Sequence, residues 1–316
     1  MGAIRLESDE LRLDLAPDLG ASVIGLWALS EGAAPTPLLR PTPNASGPLE
    51  SACVVVAPWC NRVDAARFEW RGRTIDLQPS FDDGSAIHGV FRDEPFRLLD
   101  RTPVSARLRA YVGPGHASRW PFPCSLTVLH EVIAGRWTCR LTLQNTGDEP
   151  MPCGLGLHPF FVRRDNMTVR AAVQGRYPAE RQIPIGPSKP GPLCRRLTEG
   201  APVTELEGVD DVFSGFTGTA GIAWANAAAT NGHADAPMRT LAIELESSEQ
   251  ATHCVVFVHP DGRTVCLEPS TMTNNGYNLH AQGVPGADVH TLEPGGALEL
   301  EVRCLLQRPT PETAQR

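Results

Sequence analysis

Four short segments of this sequence combine hydrogen-bonding side chains with glycine or proline. Pro58-Trp59-Cys60-Asn61-Arg62-Val63 sets an amide beside a guanidinium, and Phe68-Glu69-Trp70-Arg71-Gly72-Arg73 follows it. Asn61 and Arg62 can present neighbouring donors to a polar ligand, the guanidinium as a planar fork suited to oxygen atoms. Arg62 can equally form an ordinary surface ion pair. In Ala86-Ile87-His88-Gly89-Val90, a glycine directly after the histidine lets another group approach the backbone closely. In Gly154-Leu155-Gly156-Leu157-His158-Pro159-Phe160-Phe161, Pro159 holds His158 extended and removes one ladder donor, which reads as a strand end or edge. Imidazole titrates nearest neutrality of all side chains, so His158 is a natural acid for a departing oxygen. In Val265-Cys266-Leu267-Glu268-Pro269-Ser270-Thr271 a carboxylate closes an apolar strand. Burial of Glu268 without a partner is costly unless it binds something or transfers a proton; the alternative is a solvated strand-end glutamate.

The elements that must position these groups are strands. Glycine and proline number 29 each and punctuate short runs rich in Val, Leu, Ile, Phe and Thr. Apolar alternation marks Leu11 to Leu15, Phe96 to Leu99, Ala106 to Val112, Ser125 to Ile133, Trp137 to Asn145, Leu241 to Glu246, Cys254 to Val258, Val265 to Glu268 and Leu298 to Leu305. A period of two puts one face of a strand on a core and the other towards solvent or ligand. No dozen-residue window has helical periodicity, and the best helix candidate, Ala225 to Ala229, is short. Residues 163–203 read as a long Pro- and Arg-rich connection with two short strands. With no internal repeat and no composition break, the expectation is all-β: one large antiparallel β-sandwich over residues 1–316, with few short helices and about eight disordered residues at the end.

Composition narrows the function classes. Apolar residues make up 41% and charged residues 20% of the chain, as in folded water-soluble proteins. A net charge of -8, with no block of Lys and Arg, argues against nucleic acid as a partner. No apolar stretch approaches the roughly 18 residues of a membrane span, and the first residues carry no apolar export core, so neither membrane nor export is expected. The nine cysteines are scattered, with no C-x-x-C, and most sit in strand-like apolar runs. They read as small buried hydrophobes in a cytoplasmic protein, not as a disulfide framework or a zinc knuckle.

In order and context these segments resemble the aldose 1-epimerases, or galactose mutarotases, over nearly the whole chain. The resemblance runs from NRV and FEWRG through the IHG histidine, Trp120-Pro121-Phe122, and Asn145-Thr146-Gly147 leading into MPCGLGLHPFF. It continues with Gly208-Val209-Asp210-Asp211-Val212-Phe213, LEPST, Asn278, and Leu292-Glu293-Pro294-Gly295-Gly296. It implies a galactose mutarotase-like supersandwich with an open sugar cleft. It implies His158 as the acid that protonates the ring oxygen and Glu268 as the base that takes the anomeric proton. It further implies Asn61, Arg62, His88 and Asp210 as sugar ligands, and neither metal nor other cofactor. The family pattern often has His after that Asp, whereas Asp211 follows here, so either carboxylate can be the ligand.

Three rival readings stay open. A hexose-6-phosphate 1-epimerase needs cations for a phosphate, for which Arg163, Arg164, Arg195 and Arg196 are candidates. A non-catalytic carbohydrate-binding protein of the same fold needs no opposed acid and base. A metal hydrolase built on His88, His158 and His259 lacks metal-ligand spacing. The sequence is silent on the preferred aldose and on oligomeric state.

Overall fold

The computed structural model describes residues 2–116, 119–227 and 239–307. Eight of the nine alternating segments fall within strands, the ninth, Phe96 to Leu99, enters one at Arg97, and the strands assemble into two large antiparallel sheets. The ten-stranded sheet runs in the order Ile4–Glu7, Leu11–Ala16, Ser22–Ala28, Thr36–Leu39, Gly156–Val162, Thr264–Ser270, His253–Val258, Asp210–Ser214, Gly175–Arg176. Its tenth strand, Cys53–Val56, pairs with both Gly156–Val162 and Ser22–Ala28. The nine-stranded sheet runs Arg97–Arg101, Ser105–Val112, Cys124–Ile133, Arg136–Asn145, Ala297–Gln307, Arg239–Ser247, Thr219–Ala227, Met167–Ala171, Ala201–Pro202.

Strand burial follows from where each face points. Ser105–Val112 and Ala297–Gln307 alternate buried with exposed residues, as expected of strands with one wet face. Cys53–Val56 and Thr264–Ser270 are buried at every position. One face of these strands joins Leu13, Val128, Trp137 and Leu300 in a hydrophobic cluster drawn from both sheets. Their other face is covered by loops. Asn275 N–H donates to the Arg62 carbonyl at 2.7 Å and the Tyr277 hydroxyl to the Pro58 carbonyl at 2.8 Å, tying the two covering segments together.

Several expectations need correction. Residues 163–203 hold more order than a meander with two strands: Met167–Ala171, Gly175–Arg176, Ala179–Glu180, Ile183–Pro184 and Ala201–Pro202 all pair. They also hold a helix, Pro192–Glu199, started by proline in its first turn and ended at Gly200, whose φ of 103° an L side chain resists. Its eight residues bury only Cys194 and Leu197, too few for a visible period. The second helix is Gly276–Ala281. Ala225–Ala227 continues a strand; residues 228 and 229, like the terminal residues expected to be disordered, lie outside the described residues. His158 and Glu268 do not sit at strand ends. Both lie inside central strands, and Pro159 and Pro269 are tolerated there despite the missing donors. All nine cysteines are buried free thiols, and no helix among the described residues is long and apolar enough to cross a membrane.

Candidate functional site

The site begins as a matter of register. Gly156 pairs with Ser270 and Phe160 with Cys266, which sets His158 opposite Glu268 on adjacent antiparallel strands. Glu268 in turn pairs with Val255 and Cys266 with Phe257. Val255 pairs with Val212 and Phe257 with Asp210. Residues two apart on a strand share a face. One row across the sheet therefore reads His158, Glu268, Val255, Val212, and the next reads Phe160, Cys266, Phe257, Asp210. The intervening Leu157, Phe161, Val265 and Leu267 point into the core between the sheets.

Pairing of these two strands lapses between Gly156 and Phe160, where Pro159 offers no N–H, while on its other edge the same stretch pairs with Cys53–Val56. In that gap Nδ1 of His158 stands 3.4 Å from Oε1 of Glu268, with side chains only 7% and 8% exposed. Water is thus nearly excluded, and charge is expensive. Burial pushes the His158 imidazole down to about 3, assisted by the positive charges of Arg40 and His259. Burial pushes the Glu268 carboxyl well above the usual carboxylate range; the charge of Asp210 adds to this and Arg62 opposes it.

Asn61, Arg62 and His88 form the facing wall. Asn61 has φ of 52°, and its Oδ1 accepts from the Arg62 backbone N–H at 2.9 Å and from Arg62 Nη1 at 3.2 Å. Nε of Arg62 donates to Oδ2 of Asp83 at 2.9 Å, and the guanidinium carbon lies 4.9 Å from the centre of the Phe81 ring. The guanidinium is therefore held from two sides, an ion pair that is largely buried instead of lying on the surface. His88 also has positive φ, 59°, and its N–H donates to the Asn61 carbonyl at 2.9 Å. The close approach expected beside Gly89 is the Ala57 carbonyl: a Cβ on Gly89 would sit 1.7 Å from that oxygen. The His88 and His158 rings lie 5.1 Å apart, and burial first, then the charge of His158, Arg92 and Arg62, drives the His88 pKa far down.

A cavity between wall and sheet is lined by Asn61, His88, Gly156, Glu268, Ser270 and Asn274, among others. Two polar atoms of its lining, Nδ1 of His88 and Oδ1 of Asn274, are buried without a hydrogen-bond partner, as is Nδ1 of the neighbouring His158. Unpaired buried polar atoms are costly, and hydrogen bonds from a polar ligand would offset that cost.

The two candidate aspartates separate. Asp210 shares the face of Glu268, and burial raises its pKa, with Asp211 adding and Arg62 opposing. Asp211 points the other way and pairs with Arg176 at 2.9 Å. The four arginines considered for a phosphate are engaged otherwise or exposed. Arg163 pairs with Glu207 and Arg196 with Glu205; Arg164 lies over Trp224, and Arg195 is exposed. His259 pairs with Asp261 at 2.9 Å and forms no ligand cluster with His88 and His158.

Sequence reasoning missed Asp83, Arg40, Phe160, Cys266 and Asn274. Phe160 stacks on His158 with ring centres 4.2 Å apart, and the Arg40 guanidinium lies 3.7 Å over the other ring face of that stack's Phe160. Arg40 donates to the Leu49 and Ser51 carbonyls at 2.7 Å, which fixes it. Only Phe160 and Cys266 carried a signal, each lying two residues from a candidate in a strand-like apolar run.

A family profile described as Aldose 1-epimerase matches residues 2–304. The chain is 25% identical over 311 residues to the uncharacterized protein YphB of Escherichia coli strain K12, covering 94% of this chain and 96% of that one. A galactose mutarotase-like protein from Clostridium acetobutylicum has the same fold, with a TM-score of 0.78 at 16% identity over 98% of this chain and 95% of that one. So does a GalM/aldose epimerase homologue from C. elegans, with a TM-score of 0.76 at 11% identity over 98% and 99% of the two chains.

Proposed function

From the fact that the chain belongs to the aldose 1-epimerase family, we propose that it interconverts the α and β anomers of a free aldose by acid-base ring opening and closure. The observation that carries this reading is the buried pair of His158 and Glu268, 3.4 Å apart on one sheet face. The ring oxygen and the anomeric hydroxyl of a sugar share one carbon. An acid and a base acting on them must therefore lie within a few ångströms of each other, as these two do.

In the proposed reaction Glu268 takes the proton of the anomeric hydroxyl while His158 gives one to the ring oxygen. The bond between C1 and the ring oxygen breaks and leaves an open-chain aldehyde. Rotation about C1–C2 presents the other carbonyl face, and closure returns both protons with the residues in exchanged roles. Proton transfer by positioned groups is typically worth about 10²- to 10⁴-fold. Burial of the empty pair favours neutral imidazole with neutral carboxyl. A bound sugar donates its hydroxyl to the carboxylate and accepts at its ring oxygen from the imidazolium, which favours the charge-separated arrangement of the same single proton. Arg62, Asn61, His88 and Asp210 hold the remaining hydroxyls, and the fixed guanidinium limits the entropy lost on binding.

Polarimetry of freshly dissolved α-anomers tests the proposal. Wild-type protein should speed equilibration of at least one of glucose, galactose, arabinose and xylose, and Glu268→Gln should lose about 10²-fold or more of that rate. Equal rates for the two proteins remove Glu268 from the chemistry. Faster turnover of glucose 6-phosphate than of any free sugar transfers the reading to the phosphorylated substrate, and no acceleration of any sugar leaves only carbohydrate binding.

A further inference from the structure

Cys266 plays no part in the proposed proton transfers, yet it lies two residues before Glu268 on the same strand face. Together with His158 it makes a group of three possible metal ligands whose donor atoms all lie within 4.8 Å of one another, all three residues being buried. No other group of three meets that spacing among the described residues. We propose that one zinc-like divalent cation binds here to the His158 imidazole, the Cys266 sulfur and the Glu268 carboxylate, and that it shuts the enzyme off.

The donor set and spacing carry the argument. One nitrogen, one sulfur and one carboxylate oxygen form a mixed set suited to a borderline-soft cation, and three protein ligands with an open fourth position are a common zinc arrangement. With zinc bonds of about 2.0–2.3 Å in tetrahedral geometry, neighbouring donors stand about 3.4–3.6 Å apart. His158 Nδ1 and Glu268 Oε1 already stand 3.4 Å apart. Donors standing at the 4.8 Å limit need to close by about 1.2–1.4 Å, within reach of side-chain rotations. Nδ1 of His158 is buried without a hydrogen-bond partner, so its lone pair or proton is not committed elsewhere. The arrangement has a structural source: the register that opposes His158 to Glu268 also brings Cys266 beneath them, since residues two apart share a face. A cation held there takes the lone pairs that accept and deliver the proton. This inhibitory half rests on the proposed reaction; the binding half does not.

Zinc binding to EDTA-treated, desalted protein, measured by competition with a chromophoric chelator, tests the site without any sugar present. Wild type should take up one Zn²⁺ per chain, Cys266→Ser should bind at least 10-fold more weakly, and Glu268→Gln should also weaken. With Co²⁺ in place of zinc, the wild type should show a near-ultraviolet thiolate-to-cobalt band that Cys266→Ser lacks. Equal affinity in wild type and Cys266→Ser overturns the proposal, as does cobalt-loaded wild type without a thiolate band, a result that does not depend on the variant folding. Polarimetry on the metal-free wild type then separates the two readings. Activity that stoichiometric zinc stops supports both, activity that bound zinc leaves untouched refutes inhibition alone, and a zinc-binding protein with no epimerase activity refutes the reaction and leaves the cation site standing.

Discussion

Nδ1 of His158 lies 3.4 Å from Oε1 of Glu268, and burial drives the two groups in opposite directions, the imidazole down to about 3 and the carboxyl well up. Across the interval between, the pair holds one proton in total. Two protons leave no base, and none leaves no acid. Activity should therefore be flat over the one-proton interval and fall on both sides.

The pH dependence of kcat/KM is expected to be a broad bell. Its acid limb should lie near 3, where His158 takes up the second proton. Its alkaline limb should lie well above the ordinary carboxylate range, where the single proton leaves. An acid limb near the unperturbed histidine value of about 6.5 contradicts this assignment.

Asp210→Asn and Asp211→Asn should behave differently although the residues are neighbours. Asp210 adds a negative charge that raises the Glu268 pKa. Its removal should move the alkaline limb to lower pH and raise KM. Asp211 is tied to Arg176 at 2.9 Å, half of an ion pair whose arginine is 50% exposed, so its loss should leave the profile in place and cost at most about 1 kcal/mol of stability. Profiles of the two variants measured side by side decide the matter; a limb shift in Asp211→Asn alone reverses the assignment.

Much of the fold was legible because alternation marks a half-buried strand directly, and Ser105–Val112 or Ala297–Gln307 could hardly read otherwise. Strands buried on both faces gave less. In Gly156–Val162 and Thr264–Ser270, prolines that suggest a strand end sit mid-strand: pairing with Thr264–Ser270 lapses around Pro159, and Pro269 keeps its place opposite Cys254. The site followed the same division. His158 and Glu268 stood out as polar residues in apolar runs, but their opposition is a property of register between strands over a hundred residues apart. Asp83 and Arg40 were silent because each acts through another residue, Arg62 or Phe160.

Gly89→Ala should be among the most damaging single-methyl additions near the site. The new carbon would meet the Ala57 carbonyl oxygen at 1.7 Å, at a residue with φ of 76°. Left-handed backbone alone costs a non-glycine residue about 1–3 kcal/mol, so Tm should fall by at least ~1.5 °C in a chain of this length. The displaced His88 should also lower kcat/KM. Differential scanning calorimetry with polarimetry checks both, and an unchanged Tm contradicts the close approach.

His130 predicts a pH dependence of stability that has nothing to do with catalysis. It is fully buried, accepts from Trp137 Nε1 at 3.3 Å, and burial pushes it down to about 4, with only the Ala21 carbonyl opposing. The unfolded chain, with a histidine near 6.5, binds more protons between these values, so stability rises with pH across that window and is lost as pH falls through it. From pH 7 to pH 5 the loss from this residue is about 2 kcal/mol. Urea unfolding at the two pH values should show that difference reduced in His130→Gln; an identical slope for the variant assigns the acid sensitivity to other groups.

The two faces of Gly156–Val162 and Thr264–Ser270 have a consequence for how this protein can fail. His158 and Glu268 share one face of the sheet, while Leu157, Phe161, Val265 and Leu267 fill the space between the sheets. A slip of one residue in either strand would exchange these sets, sending a charged or polar group into hydrocarbon and a leucine or phenylalanine out of it. Misassembly that spares the fold yet scrambles the proton-transfer pair is thereby penalised at once. A chain that has solved its packing problem has, in the same act, aligned its acid with its base, so refolding yield measured by sugar turnover and by tryptophan burial should report a single event.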